Sequence, residues 1–216
     1  MSTPAPTAEP DRPATAPDGR DLAGPVVELR LLSADDAPAL FRALDDARVW
    51  ASGYSGGPGN RPPNIGGAER WISRMLTVPG LTPYGVRTVE ASELGPAGTL
   101  VGTSALGDVD LPNRRLHLGW TAYTPDAWSG LVNPASKLLL LRHAFVDCGM
   151  HRVKLQTDAI NLRSQAAIAR LGAVREGVLR QHVRRADGTW RDTVVYSILA
   201  DEWPRVEARL EARIAD

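Results

Sequence analysis

The sequence predicts a mixed α/β (α+β) fold, in which a mostly antiparallel central sheet carries helices on both faces. Residues 84–123 contain three consecutive strand-like stretches with turn-rich linkers, which is typical of an antiparallel meander. A strand pattern, a helix pattern and two further strand patterns follow over residues 151–199. Helical periodicity before and between these blocks supplies the layers that cover a sheet on both sides.

The first 24 residues are rich in Pro, Ala and Thr and contain almost no large apolar side chains. Such a segment buries too little surface to offset its ordering entropy, so we predict a disordered arm over residues 1–24 and a single domain over residues 25–216. Residues 26–32 are apolar and β-branched, as in a strand. Ser33 then caps a helix whose apolar stripe ends at Leu44.

Residues 51–66 contain five glycines and three prolines and interrupt all periodicity. Two interpretations stay open for this long loop: a surface insertion, or a mobile wall of a substrate site with Trp50 and Tyr54 as apolar contacts. A short helix is predicted at 68–77. The strands of the meander are predicted at 84–90, 99–106 and 116–123.

The second half centres on an almost wholly apolar helix. It is predicted to begin at Pro134 with Asn133 as its N-cap. Gly172 lies where a helix C-terminus favours a left-handed residue, and Asp187-Gly188 marks a hairpin turn. The remaining predicted elements are a strand at 151–158, a helix at 161–171, strands at 174–185 and 191–199, and a helix at 201–214.

Charge and composition argue against several function classes. The 25 basic and 25 acidic residues cancel, so nothing attracts the whole chain to nucleic acid or to an anionic membrane. Cys148 is the single cysteine, which forbids an intrachain disulfide and favours a reducing, cytoplasmic location. No apolar run is long enough to span a membrane, and no secretory signal pattern is present. No cluster has zinc-ligand spacing, so we expect no metal.

The segment before the apolar helix has the features of an anion-binding loop. A helix N-terminus carries about half a positive charge and several unpaired N–H groups. The Ser129-Gly130 turn directs further amides to the same point, and Lys137, one turn into the helix, adds a charge. This combination suits a pyrophosphate, although an ordinary strand–turn–helix fits the spacing equally well.

Four stretches of the chain carry a family likeness, namely LHLGWTAYTPDAW, VNPASKLLLLRHAF, HRVKLQTDAINLRSQAAIARLGA and REGVL…DGTWRDTVVYSIL. In these stretches, and over residues from Val26 to about Leu210, the chain resembles the GNAT superfamily of acetyl-CoA-dependent N-acetyltransferases, in particular the branch of ribosomal-protein N-terminal acetyltransferases. The resemblance implies a GNAT-type sheet, acetyl-CoA as co-substrate, and a primary amine as acceptor, either a protein N-terminus or a small amine.

The resemblance also implies which residues bind CoA. The loop before the central helix would bind the pyrophosphate through backbone amides, and a bulged strand would hold the pantetheine. Asn161 would bond the pantetheine arm, and Ser164 would face the thioester sulfur. The predicted cofactor-binding set is Trp120, Thr121, Ala122, Tyr123, Ser129, Gly130, Leu131, Val132, Asn133, Lys137, Asn161 and Ser164.

The loop departs from the family pattern Gln/Arg-x-x-Gly-x-Gly/Ala. Trp128 stands at the Gln/Arg position, Leu131 at the central glycine and Asn133 at the last small residue, and only Gly130 remains, shifted by one. Because side chains hinder the approach of backbone to a phosphate, we expect a weaker or rearranged pyrophosphate contact. This departure keeps an alternative open, namely a non-catalytic acyl-CoA-binding or regulatory module on the same fold.

The catalytic prediction names Ser164, as hydrogen-bond donor to the leaving thiolate, and His117, as candidate base. An α-amine with a pKa of about 7.7–8.0 is partly neutral near pH 7, whereas a lysine amine near 10.4 needs about 4 to 5 kcal/mol of help. The sequence leaves open whether the protein forms a homodimer. The other candidate bases are Asp108, Asp110, Glu176 and His182, and all five, His117 included, are more typical of a turn or a surface strand.

Overall fold

One eight-stranded sheet runs through the protein in this computed structural model, which describes residues 13–215. The strand order is β1-β2-β3-β4-β5-β6-β8-β7, and every neighbouring pair is antiparallel except β5 and β6. The predicted mixed, mostly antiparallel sheet is therefore confirmed. The strands are β1 (Leu22–Ala23), β2 (Val27–Leu31), β3 (Thr82–Thr88), β4 (Leu100–Asp110), β5 (Arg115–Tyr123), β6 (Arg152–Asp158), β7 (Val174–Arg184) and β8 (Trp190–Leu199).

Six α-helices of the described residues cover the sheet. They are α1 (Ala37–Leu44), α2 (Ala47–Ala51), α3 (Ile65–Thr77), α4 (Val132–Arg142), α5 (Leu162–Leu171) and α6 (Trp203–Ala215). Buried side chains of α1, α2 and α3 form one apolar cluster with β4 and β5. Those of α4, α5 and α6 form a second, larger cluster with most of the strands. We call the two sides of the sheet the α3 face and the α4 face, and the predicted helices on both faces are confirmed.

The central helix α4 is buried on nearly every side, as its apolar sequence predicts. Its start differs from the prediction, because Val132 is the first helical residue and Leu131 holds the N-cap position without a side-chain cap. Asn133 is therefore not the N-cap. Pro134 still lies in the first turn, where N–H groups have no intrahelical partner, and this is why a proline is tolerated there.

Part of the predicted disordered arm has a defined place in the fold. Residues 1–12 lie outside the described residues. Leu22 is buried and pairs with Leu29 across β1 and β2, and the Thr15 N–H donates to the Cys148 carbonyl at 3.0 Å. Backbone pairing holds this segment although it has few apolar side chains, and composition does not reveal that contribution.

Residues 51–66 are more ordered than the predicted loop. Two short 3-10 turns, Tyr54–Gly56 and Pro58–Asn60, lie between α2 and α3. The helix α3 begins at Ile65, three residues before the predicted start, because the Asn64 side chain accepts a hydrogen bond from the Gly67 N–H at 2.9 Å.

The strands β5 and β6 separate part-way along the sheet. Parallel pairing joins residues 115–117 to residues 152–154 and then ends. Beyond that point β5 continues to Tyr123 against β4, while β6 continues to Asp158 against β8. The two strands therefore diverge as a V, and their outer residues face open space instead of a neighbouring strand.

Candidate active site

A cleft of about 730 Å³ opens where the two strands diverge. Side chains alternate between the two faces of a sheet along each strand. Leu116 and Leu118 pack in the cluster that contains α4, so His117 and Gly119 point to the α3 face. The cleft therefore has two halves, one on each face of the sheet.

The strand β5 has a bulge beside the cleft, as predicted. The register with β4 shifts between Thr103 and Ala105, so that Trp120 and Thr121 both lie opposite Ser104, and Trp120 has a φ of 48°. Bulged residues leave part of their backbone outside the strand ladder. The bulge thus offers backbone groups to a ligand in the cleft.

Lys137 lies behind this bulge and is buried. Its Nζ donates to Thr121 Oγ1 at 2.6 Å and to Ser104 Oγ at 3.1 Å, and the two hydroxyls are 2.8 Å apart. Burial lowers the pKa of the Lys137 amine to about 7. The amine is bound to hydroxyls of the sheet, which differs from the predicted contact with a pyrophosphate at the helix N-terminus.

The loop before α4 is held by Trp128. Its indole Nε1 donates to the Tyr123 carbonyl at 3.1 Å, and the Arg163 guanidinium carbon lies 3.3 Å from the centre of the Trp128 ring. Ser129 has a φ of 66°, which turns the chain toward α4. Trp128 therefore fixes the loop at the position where the family pattern has Gln or Arg.

Asn161 and Ser164 both line the cleft at the start of α5. Asn161 Oδ1 caps the helix by accepting from the Ser164 N–H at 3.0 Å. The Ser164 hydroxyl makes no hydrogen bond within the described residues. The structure brings the predicted binding residues together in one cleft, except that Leu131 is exposed and Val132 packs in the core.

His117 is buried on the α3 face of the cleft, with 4% of its surface exposed. Its Nδ1 lies 3.3 Å from Asp108 Oδ2, and its ring lies against that of Trp120 with centres 4.7 Å apart. Burial lowers the pKa of His117, so the ring is neutral at pH 7. His117 and Lys154 together hold the pKa of the Asp108 carboxyl well below its usual range.

The remaining candidate bases are bound elsewhere. Asp110 Oδ1 and Oδ2 accept hydrogen bonds from Asn113 and Arg115 in a turn. Glu176 is paired with Arg152 and also accepts from Ser197 Oγ at 2.9 Å. His182 Nδ1 lies 3.1 Å from Thr193 Oγ1, and none of these three candidates lines the cleft.

The far wall of the α3-face half was not predicted from the sequence. Arg185 binds the buried Asp158 carboxylate through two hydrogen bonds of 2.8 and 2.9 Å. A Cβ at Gly53 would lie 2.9 Å from Asp158 Oδ2, so a larger residue there would displace the pair. The Tyr54 hydroxyl donates to the Trp120 carbonyl at 3.3 Å, so the segment after α2 is held against the β5 bulge and forms part of the cleft wall.

A metal centre finds no support in the part of the chain that the structure describes, where no group of three His, Cys, Asp or Glu side chains could hold an ion. Between residues 13 and 215, no helix is long and apolar enough to cross a membrane.

Known proteins share this sequence and architecture. The family model of the acetyltransferase (GNAT) domain matches residues 27–174. The chain is 29% identical over 106 residues to YdaF of Bacillus subtilis (strain 168), named as a candidate ribosomal N-acetyltransferase. That match covers 49% of this chain and 57% of the relative, so the chain spans less than two thirds of that curated protein.

Solved structures extend the likeness over most of the chain. A candidate acetyltransferase from T. thermophilus is 34% identical, with a TM-score of 0.78 over 90% of this chain and 96% of the other. A GCN5-related N-acetyltransferase from Brucella melitensis shares the fold at 23% identity, with a TM-score of 0.83 over 93% and 87% of the two chains. RimJ of Mycobacterium smegmatis, solved with CoA-disulfide, shares it at 24% identity and a TM-score of 0.72 over 89% and 92%. The chain therefore belongs to the GNAT superfamily of acetyl-CoA-dependent N-acetyltransferases.

Proposed function

We propose that this protein transfers the acetyl group of acetyl-CoA directly to a primary amine while both substrates occupy the cleft. The two-sided opening between β5 and β6 carries the proposal. On the α4 face, the β5 bulge and the start of α4 line the cleft. On the α3 face, the buried His117 lines it. Two substrates that enter from opposite faces meet at the bulge, and holding them together supplies most of the rate.

Acetyl-CoA is assigned to the α4 side by family resemblance and by local geometry. The amides between Ser129 and Asn133 lie at the start of α4, where a helix favours phosphate. The bulge at Trp120 and Thr121 would hold the pantetheine and direct a backbone N–H at the thioester carbonyl. Asn161 would bind the pantetheine arm through its amide nitrogen, since its oxygen caps α5.

The reaction exchanges one acyl bond for another. The amine nitrogen attacks the thioester carbonyl, the C–N bond forms and the C–S bond breaks. His117 is the assigned base and accepts the amine proton, directly or through water, because its ring is neutral and faces the cleft. The Ser164 hydroxyl donates a hydrogen bond to the departing thiolate, which a thiol pKa near 8.5 makes a good leaving group.

The acceptor that suits this site is an α-amine of a protein N-terminus or a small primary amine. The α-amine of a protein N-terminus has a pKa of about 7.7–8.0, which leaves a usable neutral fraction near pH 7, so a single histidine suffices as base. A small alkylamine titrates nearer the lysine value of about 10.4 and depends more on the base. The YdaF name and the ribosomal branch of the family support a protein N-terminus. The single cysteine supports a cytoplasmic location.

Acetyl-CoA consumption over a panel of primary amines tests the proposal. We expect turnover with at least one amine, and initial rates that intersect when acetyl-CoA and amine are varied together. Parallel lines would replace direct transfer by an acetyl-enzyme route. Tight CoA binding with no turnover on any amine would replace the enzyme by the non-catalytic CoA-binding module that the altered loop also suggests.

A further inference from the structure

The lining of the cleft is strongly cationic. Seven arginines and one lysine line it, while Asp158 is its one acidic side chain within the described residues. Asp158 is already neutralised by Arg185, which binds it at both carboxylate oxygens. No other cation of the lining forms an ion pair with this carboxylate.

Arg191 is such a cation. It lies in β8, lines the cleft and is half-buried, and its Nε is buried without a hydrogen-bond partner. No side chain of residues 13–215 forms an ion pair with it. Burial lowers the pKa of the Arg191 guanidinium, which reflects the loss of solvent around its charge. The Asp158 charge offsets this only in part, from beyond ion-pair distance, so an anion supplied by a ligand beside the guanidinium would stabilise it further.

Strand alternation places Arg191 on the acceptor side. Val194, Tyr196 and Ile198 of β8 pack in the cluster of the α4 face, so Thr193 and Arg191 point to the α3 face. Thr193 pairs with Asp158, whose carboxylate lies against Gly53. Arg191 is therefore on the face opposite α4 and its phosphate-binding start, and on the same face as His117.

The neighbouring cations of the hairpin are less suited to this role. Arg185 is bound to Asp158, and Arg184 is exposed to solvent. Arg191 keeps Nε and its terminal nitrogens available, and this edge of a guanidinium matches the two oxygens of a carboxylate.

We propose that the acceptor amine carries a carboxylate and that Arg191 binds it. The proposal rests on the proposed acetyl transfer and adds the substrate class, an amino acid or an acidic peptide whose amine reaches the bulge. A carboxylate on Arg191 satisfies the buried Nε and anchors the acceptor while its amine lies near His117.

Matched acceptors test the proposal in the wild-type protein. Small amines with a single carboxylate, such as 4-aminobutanoate, are compared with the corresponding amides. Peptides with Asp or Glu after the N-terminal residue are compared with their Asn or Gln counterparts. We expect the anionic member of at least one pair to have a kcat/KM about 10- to 100-fold higher, the range of a charged hydrogen-bonded contact. The small and peptide arms show which source of carboxylate the site uses.

Three variants assign the preference to Arg191. Arg191→Met is expected to reduce the preference to about onefold by raising the KM of the anionic acceptor, and Arg191→Lys to retain part of it. Arg180→Met is the matched control, because Arg180 is exposed on the same hairpin and does not line the cleft. It should keep the full preference.

The outcomes separate this inference from the proposed function. Acetylation of neutral and anionic amines at equal kcat/KM, or a preference that survives Arg191→Met, overturns the inference and leaves acetyl transfer intact. Weaker CoA binding in Arg191→Met also overturns it, since Arg191 would then serve a CoA phosphate. CoA binding without acetylation of any amine overturns the proposed function itself.

Discussion

Lys137 and Arg191 are both cations in the wall of one cleft, yet they differ in what the chain provides for them. Lys137 on the α4 face donates to two hydroxyls, at 2.6 and 3.1 Å. Arg191 on the α3 face has no side-chain partner within the described residues, and its buried Nε makes no hydrogen bond. A buried polar group is normally satisfied by the protein or by a ligand. We infer that Lys137 holds the cofactor half of the cleft together and that Arg191 belongs to the acceptor half.

The largest expected effect concerns His117, which shares the α3 face with Arg191. His117→Gln should lower kcat by about 100-fold, because it removes the base and keeps a polar side chain of similar length. CoA affinity should not change. Below the pKa of the acceptor amine, kcat/KM should fall in both proteins, because the amine protonates. Wild-type kcat/KM should fall more steeply once the pH drops below the His117 pKa, which burial lowers from its usual value of about 6.5, and this additional fall should be absent in the variant.

Initial rates over pH 5–9, with CoA binding measured in parallel, check this prediction. If His117→Gln keeps the additional fall at low pH and most of its activity, the α3 face holds no base. If His117→Gln also weakens CoA binding, the two halves of the cleft do not act independently.

The next effect concerns the stability of the folded protein and the buried Lys137 amine, which is bonded to Ser104 and Thr121. Lys137→Met replaces a desolvated amine by an apolar side chain, so we expect the variant to be about 1 to 2 kcal/mol more stable than the wild type at pH 7. The folded protein releases the Lys137 proton at about pH 7, and the unfolded chain at about 10.5. Between these values the unfolded state binds more protons, so wild-type stability rises with pH. Wild-type stability rises by about 1.4 kcal/mol per pH unit in this range, so the advantage of the variant should be largest below pH 7, vanish between about pH 8 and 9, and reverse toward pH 10.

Urea unfolding of both proteins at pH 6, 7, 8, 9 and 10 measures the difference. Lys154→Met is the control, since Lys154 is partly exposed and pairs with Asp108 on the other face. A stability difference that is constant with pH would mean that the Lys137 amine titrates at its ordinary value.

A smaller effect is expected at Ser164, where α5 meets the cleft. Ser164→Ala should lower kcat by about 10-fold, because the leaving thiolate loses one hydrogen bond. The CoA dissociation constant should change by less than about twofold, since the Asn161 cap accepts from the backbone N–H and survives the change. Single-turnover kinetics and CoA titration on the same protein separate the two quantities. An unchanged kcat would remove Ser164 from the mechanism.

The smallest effect concerns the loop before α4, residues 128–133, which lacks most glycines of the family pattern. Arg163→Ala removes the guanidinium stacked on Trp128, a contact of about 1 kcal/mol, so CoA should bind about 5-fold more weakly. Arg175→Ala, an exposed change on β7, should leave the affinity unaltered. CoA titration at 0.05 and 0.5 M salt shows whether the loss is one of loop order or of charge. A loss that disappears at high salt would point to a direct phosphate contact by Arg163.

The elements that depend on local pattern were predictable, and those that depend on distant partners were not. The apolar run of α4 was predicted from neighbouring residues, whereas Asn161 was assigned to the helix α5 and instead caps it. The partners of Lys137 come from Ser104 and Thr121, which only the folded sheet brings beside the helix. The predicted start of α4 at Pro134 was wrong by two residues, since Leu131 holds the N-cap position although Asn133 is the better capping residue.

The cleft wall formed by Asp158, Arg185 and Arg191 could not be predicted from the sequence for the same reason. Asp158 and Arg185 are 27 positions apart, and their pairing leaves Arg191 without an ion pair of its own. His117 lies between the apolar residues Leu116 and Leu118 on β5. This alternation predicts that His117 points to the opposite face of the sheet, but it does not predict that the side chain is buried there. Charge counting gives zero for the chain and does not reveal a cationic cleft.

The most direct test of the comparison between the two cations needs no acceptor. CoA binding is measured by isothermal titration calorimetry for the wild type, Lys137→Met and Arg191→Met, with circular dichroism to verify the fold. We predict that Lys137→Met weakens CoA binding by about 10-fold, because the bulge loses its tether, and that Arg191→Met stays within about twofold of the wild type. Equal weakening by both variants, or weakening by Arg191→Met alone, would contradict the division of the cleft into a cofactor half and an acceptor half.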